Sequence, residues 1–187
     1  MNKISKALIS VSDKKNLEIV LKELKHHNIQ IISTGGTYKF IKDHGFECTE
    51  ISKYTGSPEI LSGRVKTLHP KIHGGLLADV EKDNHTIELK QNNIDLIDLV
   101  IVNLYPFENK LIDTNSSFEE MIENIDIGGP SMLRSASKNF KYITVIPSPE
   151  YYNDFLDELK KNKGSTSLTF RKKMSAITFS ETAYYDS

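Results

Sequence analysis

Short apolar runs alternate with longer amphipathic segments along most of this 187-residue chain. The run at residues 7–11 predicts a buried strand, and residues 14–27 place Leu17, Val20 and Leu24 at the spacing of one helix face. Further strands are predicted at 29–32, 46–51, 96–104 and 142–146, and further helices at 38–44, 84–91, 117–124, 149–161 and 166–184. This β-α-β-α order favours a three-layer α/β fold, in which helices flank a central, mainly parallel sheet.

Residues 52–75 show little periodicity and are predicted as one long loop, which contains G-R-V-K-T-L-H-P-K-I-H-G-G. A loop of that length inside a compact domain is typical of a functional element. His69 and His73 have the i, i+4 spacing of metal ligands, but Pro70 between them argues against a helix. No zinc site is therefore predicted there.

Composition limits the classes of function and location. A formal net charge of −1 and a pI of about 6.6 do not favour a nucleic-acid partner or an anionic membrane. The single cysteine, Cys48, excludes an intrachain disulfide and fits a reducing compartment. The N-terminal apolar run is too short for a secretory signal, and no run approaches the ~18 apolar residues of a membrane span. We expect one cytoplasmic domain over residues 1–187.

The segment I-D-I-G-G-P-S-M-L-R-S-A-S-K-N, residues 125–139, carries the most chemistry. Gly128 and Gly129 allow the backbone to approach a ligand closely, and Pro130 suits the first position of a helix. Free N–H groups at such a helix start can bind an anion or oxyanion. Asp126 and Lys138 are predicted as proton acceptor and proton donor near the same ligand, which makes the segment an active-site element.

Polar residues and glycines follow three predicted strands, where the carboxyl ends of parallel strands form ligand sites. They are Ser10, Ser12 and Lys14, then Ser33, Thr34, Gly35, Gly36 and Thr37, then Asn103, Tyr105 and Pro106. Hydroxyls, glycine N–H groups and a lysine suit a phosphate held without metal. Taken singly, S-T-G-G-T also fits a turn with a helix cap, and Tyr105 fits a packed aromatic. Ser12 or Asp13 also fits an N-cap of the first helix.

Four motifs together resemble a known family: A-L-I-S-V-S-D-K, S-T-G-G-T, the G-R-V-K-T-L-H-P loop, and V-N-L-Y-P-F with E-N-I-D-I-G-G-P. From about residue 5 to the end, the chain is similar to the IMP cyclohydrolase domain of the PurH family, whose fold resembles methylglyoxal synthase. The resemblance implies ring closure of 5-formamidoimidazole-4-carboxamide ribotide (FAICAR) to IMP without metal or organic cofactor. The family also has a C-terminal AICAR formyltransferase domain, which we expect to be absent from this chain. A homodimer is possible.

The resemblance also implies roles for individual residues. Four are predicted as catalytic: Lys66, Tyr105, Asp126 and Lys138. The predicted substrate-binding residues are Ser10, Ser12, Lys14, Ser33, Thr34, Gly36, Thr37, Arg64, Thr67, Asn103, Ile127, Gly128 and Gly129. Among these, the backbone N–H groups of Ile127 and Gly128 are the oxyanion candidates.

Two other functions compete with this interpretation. The same fold serves as an effector-binding module in large synthetases, which would use the phosphate residues but would not need Asp126, Lys66 and Lys138 together. The second competing function is methylglyoxal synthase chemistry on dihydroxyacetone phosphate, although the G-R-V-K-T-L-H-P loop has no role in that reaction.

Overall fold

A computed structural model describes residues 3–105 and 117–187. Its centre is a five-stranded sheet in the order β3-β2-β1-β4-β5, in which every neighbouring pair of strands is parallel. The strands are β1 (Lys6–Val11), β2 (Gln30–Ser33), β3 (Thr49–Glu50), β4 (Leu99–Asn103) and β5 (Thr144–Ile146). Helices flank the sheet, so the predicted three-layer α/β fold is confirmed.

The helices of the described residues follow the strands in the alternation that the sequence indicated. They are α1 (Leu17–His26), α2 (Gly35–Asp43), α3 (Ile51–Thr55), α4 (Pro70–Leu77), α5 (Asp83–Gln91), α6 (Phe118–Glu123), α7 (Gly128–Lys138), α8 (Tyr152–Lys161) and α9 (Leu168–Asp186). Short 3₁₀ turns lie at Leu61–Gly63 and Pro149–Tyr151. No helix in the described ranges is both long enough and apolar enough to cross a bilayer.

The core lies on both faces of the sheet. Leu8 and Ile9 of β1 point to opposite faces, and both are fully buried, as expected for a parallel sheet covered on both sides. Leu17 and Leu24 of α1 are also fully buried. At the other end of the chain, α9 packs against α7 and β5. The last helix is thereby joined to the element that follows the Asp126 loop.

The start of the first helix differs from the prediction. The helix begins at Leu17, and its cap residue is Asn16 in the left-handed conformation without a side-chain bond. Ser12 and Asp13 do not cap it, because the Ser12 hydroxyl bonds to Asn103 and Asp13 Oδ1 accepts a hydrogen bond from the Lys15 amide at 2.8 Å. The Asp13–Lys15 bond forms a local turn between β1 and α1, and the Ser12–Asn103 bond attaches this turn to the end of β4.

The prediction of one long loop over residues 52–75 was wrong. The segment contains most of α3, a 3₁₀ turn and most of α4, and the predicted third strand is only Thr49–Glu50 because Ile51 begins α3. Pro70 starts α4 instead of preventing it, since a proline at the first helical position loses no intrahelical hydrogen bond. His69 caps this helix by accepting from the Lys71 amide at 3.1 Å.

Candidate active site

A cavity of about 920 Å³ lies at the carboxyl edge of the sheet. Loops after β1, β2 and β4 form its floor, and residues 62–67 and 122–129 form its walls. All predicted site residues except Ser33 and Lys138 line it: Ser10, Ser12, Lys14, Thr34, Gly36, Thr37, Arg64, Lys66, Thr67, Asn103, Tyr105, Asp126, Ile127, Gly128 and Gly129. Pro106, also singled out in the sequence, lies outside the described residues.

Ser33 and Lys138 lie elsewhere. The Ser33 side chain is fully buried, and its hydroxyl donates to Ile9 O at 2.7 Å, so it joins β2 to β1. Lys138 is the exposed last residue of α7. Ten residues separate it from Gly128, which is about 15 Å along a helix. The structure therefore does not bring Lys138 to Asp126 within one chain.

The start of α2 forms an anion cradle. The first N–H groups of a helix have no intrahelical partner, and here Gly35 and Gly36 occupy those positions. A Cβ at Gly35 would lie 3.7 Å from Lys66 Nζ, and one at Gly36 would lie 4.0 Å from Lys14 Nζ. Two ammonium groups thus flank the positive end of a helix dipole, an arrangement that favours a bound phosphate.

Two threonines at the start of α2 have different hydrogen-bonding roles. The Thr34 side chain is 8% exposed, and within the described residues its buried hydroxyl has no hydrogen-bond partner. The Thr37 hydroxyl donates to Val11 O at 2.9 Å and accepts from Val11 N at 3.0 Å. Thr34 is therefore available to a ligand, whereas Thr37 attaches the start of α2 to the end of β1.

Asn103 shapes the neighbouring loop. Its Oδ1 accepts from the Ser12 amide at 2.8 Å and the Asp13 amide at 3.0 Å, and its Nδ2 donates to Asp13 O at 2.9 Å. The Ser12 hydroxyl lies 2.7 Å from the same Oδ1. These bonds occupy the amide, so Asn103 positions the β1–α1 loop that carries Lys14.

Asp126 precedes α7 and faces its first turn. Its Oδ1 accepts a hydrogen bond from Gly129 N at 2.8 Å. Burial raises the pKa of the Asp126 carboxyl, although hydrogen bonds from the Gly129 and Gly128 amides act against that rise. The first turn of α7 thus directs backbone amides at the Asp126 carboxylate.

Close packing explains the two glycines of this turn. A Cβ at Gly128 would lie 2.5 Å from Thr67 Oγ1, and one at Gly129 would overlap Asp126 Oδ2. A side chain at either position would displace Thr67 or the Asp126 carboxylate. Only glycine therefore allows the start of α7 to pack this closely against Thr67 and Asp126.

Carboxylates hold the two cations of the G-R-V-K-T loop. Lys66 Nζ lies 3.1 Å from Glu59 Oε2, and the Arg64 guanidinium forms a two-point pair with Glu123, including Nε to Oε1 at 3.2 Å. Sequence analysis missed the cavity-lining residues Val11, Asp13, Ser62, Gly63, Ile122, Glu123, Asn124 and Ile125. These residues lie next to Ser12, Arg64 or Asp126 in the sequence, and that adjacency could have identified them. The Arg64–Glu123 pair joins segments far apart in the sequence, and no sequence pattern indicated it.

Two family models match the chain. Residues 16–131 match the MGS-like domain, and residues 136–187 match the AICARFT/IMPCHase bienzyme family. The chain belongs to the MGS-like domain family. The second match begins inside α7, which follows the Asp126 turn.

Relatives with curated names support the same assignment. The chain is 49% identical to the bifunctional purine biosynthesis protein PurH of Bacillus subtilis (strain 168), with 98% of this chain and 36% of that protein covered. The PurH of Chlorobaculum parvum (strain DSM 263 / NCIMB 8327) is 51% identical, with 98% and 35% covered. The chain thus spans about a third of the length of these relatives.

A solved structure resembles the chain over nearly its full length. The crystal structure of ForH superposes with a TM-score of 0.86 at 33% sequence identity. The superposition covers 97% of this chain and 93% of the ForH chain.

Proposed function

We propose that this chain is an IMP cyclohydrolase, which closes FAICAR to IMP with loss of water in the final step of de novo purine biosynthesis. One observation carries the proposal: a single cavity holds an anion cradle at the start of α2 and a half-buried carboxylate, Asp126. The match to the AICARFT/IMPCHase family and the PurH relatives support it. The formyltransferase activity of bifunctional relatives is not proposed for this chain.

The cradle binds the 5′-phosphate in this proposal. The Thr34 hydroxyl, the amides of Gly35 and Gly36, and Lys14 Nζ supply neutral donors and one positive charge. Binding a phosphate remote from the reacting atoms supplies energy that orients the base. The attack is intramolecular, so selecting the productive rotamer is a large part of the acceleration.

Ring closure requires the carboxamide nitrogen to attack the formyl carbon. The carboxamide nitrogen loses one proton, and the formyl oxygen becomes a tetrahedral oxyanion. The formamido nitrogen then loses a second proton as the ring C=N bond forms, and the oxygen takes up two protons and leaves as water. We assign the proton acceptor to Asp126, because its raised pKa makes it a stronger base than an exposed aspartate.

Lys66 and Tyr105 are our proposed donors to the developing oxygen, because both line the cavity wall. The Ile127 amide is a further candidate donor at the start of α7. Arg64 and Thr67 are proposed to hold the base and its carboxamide. Lys66 Nζ also lies 3.1 Å from Glu59 Oε2, which positions the ammonium group at the cavity wall.

The decisive assay is ultraviolet-monitored conversion of FAICAR to IMP by the purified chain without metal or folate. Turnover is expected, with large losses in Lys66→Ala and Asp126→Asn. Lys90→Ala is the control, since Lys90 is exposed on α5 and does not line the cavity. A folded chain that binds IMP without turnover would instead support a binding module. Phosphate release from dihydroxyacetone phosphate would support methylglyoxal synthase chemistry.

We further propose that the chain acts as a cytoplasmic homodimer and that Lys138 enters the site from the second copy. This assignment reconciles the catalytic role that the sequence predicts with the exposed position at the far end of α7. If Lys138 enters the site of the second copy, the Lys66→Ala and Lys138→Ala variants are each inactive alone. Mixing the two variants and allowing dimers to re-form should then restore activity. One of the two sites in each mixed dimer then has both lysines.

Full activity of Lys138→Ala would contradict this arrangement, as would a monomer in sedimentation at assay concentration that keeps full turnover. If both variants are inactive and the mixed dimers are also inactive, Lys138 does not enter the site of the second copy.

A further inference from the structure

We propose that Glu23, His26 and His27, at the carboxyl end of α1, form a binding site for a divalent transition metal of the zinc class. Within residues 3–105 and 117–187, they form a group whose candidate ligand atoms all lie within 4.8 Å of one another. Two imidazoles and one carboxylate are a ligand set that zinc accepts, with water in the fourth position.

Glu23 and His27 form an i,i+4 pair whose separation also fits two ligands of one metal. His27 Nε2 lies 3.2 Å from Glu23 Oε1, yet this buried nitrogen makes no hydrogen bond within the described residues. Two ligands at ~2.0–2.1 Å from a tetrahedral zinc are about 3.3 Å apart. The observed separation therefore matches one edge of a zinc coordination sphere.

The charges around this group leave the carboxylate available. Lys22, on the same helix, pairs with Glu18 at 2.7 Å, and Lys25 Nζ lies 5.8 Å from the centre of the Phe46 ring. Glu23 is thus directed to His27. The side chains of His27 and Glu23 are only 13% and 18% exposed, whereas His26 is exposed and leaves an open side for water.

The site lies away from the candidate active site. His27 follows α1 and shortly precedes β2, which places it at the amino edge of the sheet, opposite the cavity. Its Nδ1 would lie 3.0 Å from a Cβ at Gly164, in the turn after α8. All three ligands lie on α1 or its C-cap, so a metal here would stabilise the end of α1, and we expect it to affect stability and not turnover.

Sequence analysis did not find this group, because it tested only the His69/His73 pair. His69 Nε2 and His73 Nδ1 contact the Ser57 and Ser135 hydroxyls, at 3.1 and 3.0 Å. His73 Nε2 also has no hydrogen-bond partner within the described residues, but neither histidine belongs to a group of three candidate ligands there. A Glu at i with His at i+3 and i+4 is also common on helix surfaces. Within the described residues, this group is distinguished by its three clustered candidate ligand atoms and by the 3.2 Å separation of His27 Nε2 from Glu23 Oε1.

The test is titration of the chelator-treated full chain with zinc chloride, followed by calorimetry, and with cobalt chloride, followed by visible absorption. We expect one site per chain with a tetrahedral cobalt spectrum and a higher melting temperature with zinc. Glu23→Gln, which keeps the shape, and His27→Gln should each weaken binding at least about tenfold. The rate of IMP formation should not depend on zinc.

His44→Gln is the matched control. His44 is also the C-cap of a surface helix, α2, but Phe40 stands four residues before it in place of a carboxylate. Its variant should bind zinc as the parent does. Equal zinc binding by Glu23→Gln, or no binding by the parent chain, would overturn the proposal. If His27→Gln does not fold, judged by circular dichroism, the Glu23→Gln result decides.

Discussion

The backbone N–H of Asp126 donates a hydrogen bond to the Tyr185 hydroxyl at 2.9 Å. Tyr185 lies near the end of α9, which packs against α7 and β5. The C-terminal helix therefore supports the loop that carries the proposed base, from a position 59 residues away in the sequence. A carboxylate that must meet its substrate within tenths of an ångström depends on such support.

Tyr185→Phe should lower kcat for IMP formation while KM changes little. The variant keeps the ring but removes the acceptor of the Asp126 amide, a loss of about 1 kcal/mol or about fivefold in rate. Tyr184→Phe is the neighbouring control, because that side chain is 70% exposed. Equal rates in the Tyr185 variant and the parent would show that the bond does not position Asp126.

Asp126→Asn should abolish turnover but stabilise the fold at neutral pH. Burial raises the pKa of Asp126 in the folded state, so folding favours the protonated carboxyl. Its contribution is fully present below the unfolded pKa and is lost as pH rises through the folded pKa. The melting temperature of the variant should exceed that of the parent at pH 7, and the difference should shrink on acidification.

The same direction of shift predicts the acid limb of the pH–rate profile. A base with a raised pKa becomes protonated at a higher pH than an ordinary aspartate. The kcat/KM of the parent, which reports ionisations of the free enzyme, should therefore fall on acidification before ordinary aspartates titrate. A rate that stays constant down to about pH 4, near the reference value for aspartate, would exclude Asp126 as the base.

Gly128→Ala should destabilise the chain by about 1–3 kcal/mol, because the new Cβ would overlap Thr67 Oγ1. Thr67→Ala removes that oxygen, and the remaining Thr67 Cβ stands at an ordinary distance of 3.9 Å. In a double-mutant cycle measured by urea unfolding, the double variant should lose much less stability than the sum of the single variants. Additive losses would mean that the strain lies elsewhere.

Thr34→Val and Thr37→Val should separate binding from folding. Thr34→Val removes a hydroxyl with no partner in the described residues, so the KM for FAICAR should rise while stability is kept or increased. Thr37→Val leaves the Val11 amide and carbonyl without their partner, at a cost of about 1–3 kcal/mol of stability. Steady-state kinetics and thermal unfolding of both variants test this, and the reversed pattern would contradict it.

The sequence by itself determined the architecture and most of the residues that line the cavity. Hydrophobic periodicity distinguishes buried strands from amphipathic helices, and parallel strands place their carboxyl ends at one edge. Strand order along the chain is therefore enough to group Ser12, Thr34 and Asn103 at that edge. The prediction of one long loop over residues 52–75 was wrong, because the His69 cap and Pro70 at the first helical position were not recognised as the start of a helix.

Only the tertiary structure decided what each polar group does. Thr34 and Thr37 lie three residues apart, yet one hydroxyl has no partner in the described residues and the other is taken up by Val11, a difference that depends on the contact between β1 and α2. The separation of Lys138 from Asp126 follows from the direction of α7, and the support from Tyr185 follows from the docking of α9. Periodicity describes neighbours along the chain, whereas these relationships join segments that meet only after folding.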